Sequence, residues 1–100
     1  MNLRDFARGK DCQIRIPGVC NFNPETTVLC HIRMAGITGV GMKASDLLGA
    51  HGCSACHDEV DRRTRTHPDE MVHLWFLEGI IRTIDFVVGV YGVKDLRAKG

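Results

Sequence analysis

Four cysteines arranged as two spaced pairs constrain this 100-residue chain more than any other feature of its sequence. Cys53 and Cys56 are separated by two residues, the spacing at which two thiolates bind one tetrahedral ion. Cys12 and Cys20 bracket a Pro-Gly turn in CQIRIPGVC and form a second pair. Together the four can close a structural zinc site; the competing account is a set of buried apolar cysteines. A thioredoxin-like redox pair is disfavoured, because no βαβ pattern surrounds the Cys-x-x-Cys. The total of five cysteines breaks any fully paired disulfide scheme. Cys30 is left over, on one side of an expected strand with Val28 and Ile32, where it reads as a small buried hydrophobe.

A staple matters at this length, since 100 residues make one domain that folds alone without much margin. With 44% hydrophobic and 25% charged residues, the chain falls outside the disordered and fibrous classes. Its N-terminus, MNLRDFARGKDC, lacks the apolar core of a secretory signal. The longest apolar region, after Met71, is broken by Glu78, Arg82 and Asp85, so no membrane span is expected. A soluble, cytoplasmic protein is therefore expected. The formal charge of +1 says little about partners, but its distribution says more. Arg62, Arg63 and Arg65 fall within four positions, with Arg33 and Lys43 near the middle, and these are the candidate phosphate contacts.

Periodicity orders the elements. Leu3 to Lys10 reads as a short helix or an irregular arm, and TTVLCHIRM, residues 26–34, as a strand. The glycine-punctuated stretch from Ala35 to Gly52 reads as a loop with a short second strand near Leu47 to Ala50. A helix is expected from Ser54 or Cys56 through Arg63, with acids in its first turn and arginines in its last. Proline and acids then open a long helix over 68–91, where Met71, Leu74, Trp75, Leu77, Ile81, Ile84 and Val88 keep helical spacing. The fold class is a small α+β domain.

His57 and Asp61, four residues apart, share one helix face and make a reasonable half-shell for a divalent cation. His31, on the preceding strand, faces away from Cys30 and Ile32. If that side meets the helix, three groups converge, and His31 can take a proton from water beside the ion. The plainer alternatives are a hydrogen-bonded strand histidine and an ordinary Asp61–Arg65 ion pair.

A strand carrying HI, a glycine-rich loop and a Cys-x-x-Cys-His that opens a helix resemble the signature of the ββα-metal, or HNH, nucleases over residues 12–65. The runs RIPGVCNFNPETTVLCHIR, DLLGAHGCSACHDEVDRRT and ARGKDC are more closely similar to a small family of lambdoid prophage proteins classed as nucleases. The resemblance implies a zinc-stapled HNH-like core with an added C-terminal helix, as a single domain over 1–100. It implies His31 as general base, His57 and Asp61 as ligands of a catalytic Mg²⁺ or Mn²⁺, and Cys12, Cys20, Cys53 and Cys56 as ligands of a structural Zn²⁺. Cys30 stands where many HNH proteins have an acid or a second histidine. Asp46 is the nearest counterpart of their middle asparagine, and it can orient His31.

The expected function is metal-dependent endonucleolytic hydrolysis of phosphodiester bonds in DNA, with Arg33, Lys43, Arg62, Arg63 and Arg65 on flanking phosphates. The alternative is a non-catalytic, zinc-stapled nucleic-acid-binding module. A third is an adaptor that forms a homodimer through the C-terminal helix, whose aromatic residues spread beyond one stripe.

Overall fold

The computed structural model describes residues 2–32 and 45–92; Arg33, Lys43 and the first part of the glycine-rich stretch lie outside the described residues. Helix α1 (Leu3–Ala7) starts at Asn2, whose side-chain oxygen accepts from the backbone N–H groups of Arg4 and Asp5, both at 3.1 Å. A 3₁₀ turn at Pro24–Thr26, capped by Asn23, leads into β1 (Val28–His31). The expected strand loses its first residues to that turn, because Pro24 presets helical φ and Asn23 satisfies the Glu25 N–H.

Strand β2 (Gly49–Gly52) pairs antiparallel with β1, matching Val28 to Gly52, Leu29 to His51, Cys30 to Ala50 and His31 to Gly49. It begins two residues later than Leu47. Paired residues share a face of the hairpin. Leu29, His31, Gly49 and His51 therefore look one way and Cys30 and Ala50 the other.

Two helices follow, α2 (Ser54–Val60) and α3 (Asp69–Tyr91). The second helix is shorter than expected: Arg62 adopts a left-handed φ of 61° and the chain turns away. Its first turn carries no acid; Cys53 is its N-cap, and Sγ accepts from the Cys56 N–H at 3.4 Å. Of the three residues assigned to one side of the strand, Cys30 and Ile32 are buried and Val28 is exposed.

Ile14 and Ile16, both fully buried, bring the N-terminal knuckle into the main core with Cys30, Ala50, Val72, Phe76 and Ile80. A second cluster, Leu3, Ala7, Leu29 and Val87, seats α1 on the other face of the hairpin. Polar bonds fix how α3 crosses the hairpin. The His51 N–H donates to Thr83 Oγ1 at 3.0 Å, that hydroxyl donates to the Gly79 carbonyl at 2.7 Å, and Arg82 Nε donates to the Gln13 carbonyl at 2.8 Å.

Gly79 is where α3 meets the knuckle. A Cβ there would lie 2.9 Å from Ile14 Cα and 3.2 Å from the Gln13 carbonyl oxygen, both backbone atoms that cannot swing aside. Gly79→Ala gains about 1 kcal/mol of helix propensity, but overpacking costs about 1–3 kcal/mol. The expected net result is a loss of stability in urea melts. Gly89→Ala, in the same helix with nothing within 4 Å of its added carbon, is expected to gain.

Candidate functional site

The knuckle and the start of α2 bring Cys12, Cys20, Cys53 and Cys56 together, with all four Sγ atoms within 4.8 Å of one another. Cys53 and Cys56 are fully buried. Gly18, with φ 71°, turns the chain after Pro17, and the Cys20 N–H returns to the Ile16 carbonyl at 2.9 Å, aiming both knuckle thiols inward. The Sγ atoms of Cys20 and Cys53 are 3.8 Å apart, too far for a disulfide. Around them the Asn21 N–H points at Cys53 Sγ at 3.5 Å, and the Asn21 amide donates to Ser54 Oγ at 3.0 Å. Cys56 hydrogen-bonds to Cys12 and holds that thiol low, while burial pushes Cys20 up to about 11. These four cysteines are close enough to hold a metal ion. Among the described residues no other group of three or more His, Cys, Asp or Glu side chains is.

The other candidates form two pairs. His31 Nε2 lies 2.7 Å from Asp46 Oδ1, and Arg4 Nε lies 3.5 Å from the second Asp46 oxygen. A carboxylate only accepts, so Nε2 carries the proton and Nδ1 of a neutral His31 keeps its lone pair. On α2, His57 Nε2 lies 3.1 Å from Asp61 Oδ2. The pleat turns His31 away from Cys30, whose thiol is pushed up by burial and, next, by the negative charge of Asp61. His31, His57 and Asp61 do not form a group whose ligand atoms all lie within 4.8 Å of one another.

The arginines divide by role. Arg62 donates to the His67 carbonyl at 3.0 Å and pairs with Asp69 at 3.0 Å and Glu59 at 3.6 Å, so it holds the turn between α2 and α3 together. Arg63 and Arg65 are exposed. They pair at the surface with Asp58, Asp61 and Asp69. Asp61 therefore meets His57 and Arg63, and Arg65 goes to Asp69.

Two buried residues escaped the sequence reading. Glu59, with no exposed surface, accepts from the Thr64 hydroxyl and from the N–H groups of Thr66 at 3.2 Å and His67 at 2.9 Å. Burial pushes this carboxyl up, but those donors prevail and hold it at about 2. Its contribution to stability is complete above the ordinary value of 4.5 and is lost as pH falls toward about 2. Glu59→Gln turns an amide toward some of these donors and is expected to cost about 3 kcal/mol near neutral pH. That loss should shift a thermal melt by on the order of 10–20 °C and shrink as the wild type is acidified.

His51 is the other. It packs against Phe6 and Phe86 at centroid distances of 5.9 and 6.2 Å, and neither ring nitrogen has a hydrogen-bond partner among the described residues. Burial, then the Lys10 charge, hold it below the usual imidazole range. With Asp46, Leu29 and Thr83 it lines a small cavity of about 280 Å³ including the mouth.

Comparison with known proteins adds a family. The profile described as "Putative nuclease YbcO" matches residues 1–90. The protein of that name from Escherichia coli K12 is 55% identical over 82 residues, covering 82% of this chain and 85% of its own. A homonymous protein of Enterobacteria phage 82 matches with the same figures. A solved structure, titled "Structure of a putative bacteriophage protein from Escherichia coli str. K-12 substr. MG1655", superposes with a TM-score of 0.74 at 48% identity. It covers 90% of this chain and 99% of that one.

Proposed function

The chain belongs to the YbcO family, and from that premise we propose that it is a metal-dependent, HNH-type endonuclease that hydrolyses phosphodiester bonds in DNA. The observation that carries this reading is the 2.7 Å pair of His31 and Asp46 at the end of β1, followed along the chain by β2, the Cys-x-x-Cys turn and a second histidine–carboxylate pair on α2.

In this reading Asp46 holds the Nε2 proton of His31, and Nδ1 takes a proton from the attacking water. His57 and Asp61 hold the catalytic Mg²⁺ or Mn²⁺. Their 3.1 Å separation suits two neighbouring ligands of one ion, since octahedral ligands at about 2.1 Å sit about 3 Å apart. An ion held there supplies charge stabilisation to the phosphate oxygens as the bond breaks. In this reading the scissile phosphodiester lies between the two pairs. Arg63 and Arg65, with Arg33 and Lys43, contact flanking phosphates, while Arg62 keeps its structural partners.

The cysteine quartet is assigned a structural Zn²⁺. Zinc–sulfur bonds of about 2.3 Å in a tetrahedron place sulfurs about 3.8 Å apart, which matches Cys20 and Cys53. Four free thiolates need a reducing compartment, which makes the bacterial cytoplasm the place of action and fits a prophage protein. No helix among the described residues is long and apolar enough to cross a membrane.

The test is nicking of supercoiled plasmid with Mg²⁺, Mn²⁺, Ni²⁺ and Zn²⁺ in turn, beside elemental analysis of the purified protein. Metal-dependent nicking with one bound zinc per chain is the expected outcome. That the two histidine–carboxylate pairs do not form one ligand group within 4.8 Å favours, as second reading, a zinc-stapled module that binds nucleic acid without cutting it. Salt-sensitive binding with no nicking by any of the four metals would establish that module instead.

A further inference from the structure

Helix α3 carries two apolar stripes, and the fold uses only one. Val72, Phe76, Ile80 and Val87 face the domain and are buried. Roughly a third of the way round the helix run Leu74, Leu77, Ile81 and Ile84, exposed by 47%, 36%, 67% and 37%. Their spacing is three, four, three, and Val88, half-buried, extends it by four. This is the 3.5-residue repeat of a coiled-coil seam, narrower than the stripe a helix needs to pack on its own domain.

We propose that this seam pairs with the same seam of a second copy, as a parallel two-helix contact along α3. A 3.5-residue seam is complementary to another helix with that repeat, and every copy of this chain carries one of matching length. The charges beside the seam set the direction. His73 and Glu78 are both exposed, lie on opposite edges and are five residues apart. In a parallel pair, five residues is the offset at which flanking positions of two helices face each other, so His73 of each copy meets the partner's Glu78. Reversing one helix sets Glu78 and Asp85 of one copy against the same acids of the other. The dimer carries the His31–Asp46 pair and the α2 pair twice, related by a two-fold axis along α3. It stands whether or not those pairs cut DNA.

The test is sedimentation of the full-length, metal-replete protein over a range of concentrations, at low and high salt. The expected result is a dimer that survives high salt, because its contact is mostly apolar. Ile81→Glu, at the most exposed seam position, is expected to weaken the dimer at least about 100-fold while leaving circular dichroism and metal content unchanged. Ile81→Leu should restore it. Leu74→Cys, at one end of the seam, should give a disulfide-linked dimer on mild oxidation, since an end position faces its own copy only in the parallel arrangement. A wild type that stays monomeric at its highest soluble concentration, or a dimer indifferent to Ile81→Glu, overturns the proposal. A dimer that Leu74→Cys cannot cross-link overturns the parallel direction.

Discussion

Exchanging Cys56 for serine is expected to release the metal and unfold the domain at growth temperature. The quartet joins the knuckle, with Cys12 and Cys20, to the start of α2, with Cys53 and Cys56, across more than thirty residues of intervening chain. Ile14 and Ile16 enter the main core from that same knuckle, so losing the tie also loosens the packing around Gly52 and Gly79. A domain of this size holds only about 5–15 kcal/mol in reserve, and a structural zinc contributes an amount of that order. A chelator acting on the wild type should reproduce the loss, and added Zn²⁺ should reverse it. Cys30→Ser is the control: it lies outside the quartet and should retain the metal, at a cost of about 1–3 kcal/mol for a buried hydroxyl. Circular dichroism with elemental analysis reads both quantities. An unchanged melt for Cys56→Ser would reduce the four cysteines to apolar packing.

His31→Ala is expected to lower plasmid nicking by about 10²–10⁴-fold, the usual contribution of a positioned general base. The His31 side chain is part-exposed at the end of β1 and its one partner among the described residues is Asp46, so truncation should leave the melt and the metal content close to wild type. Asp46→Ala keeps the imidazole but frees its orientation, and a loss of about 10–100-fold is expected. His57→Ala should act differently, raising the divalent-ion concentration needed for half-maximal nicking. Undiminished cutting by His31→Ala would remove the assigned base and leave the nucleic-acid-binding module as the better account.

Long periodic segments and paired thiols were the legible part of this sequence. The bounds of α3, Asp69–Tyr91, follow from Pro68, two acids and an apolar repeat, all local signals. The four cysteines found each other as their spacing suggested. The end of α2 was overshot because its stop is Arg62 in a left-handed conformation, which that turn sustains by bonds to Glu59, His67 and Asp69. Nothing in CHDEVD marks Glu59 as different from the acids beside it. Its partners Thr64, Thr66 and His67 become partners only once the chain has turned. His51 was hidden similarly, as a polar residue between glycine and alanine whose burial depends on α1 and α3 closing over that face. The pairing of His31 with Gly49 and of Val28 with Gly52 is likewise a register that spacing alone does not give.

The turn from 61 to 68 is tied at both ends and through its middle to one buried carboxylate, and it displays Arg63 and Arg65 on a scaffold that is already ordered. A flexible basic tail must surrender conformational entropy when it docks on a polyanion, whereas in the proposed phosphate contact these two guanidinium groups would surrender their own rotamers and their surface pairs with Asp58, Asp61 and Asp69. The backbone that carries the two is thus fixed before any encounter, so under the proposed function the cost of ordering that turn does not fall on the binding step.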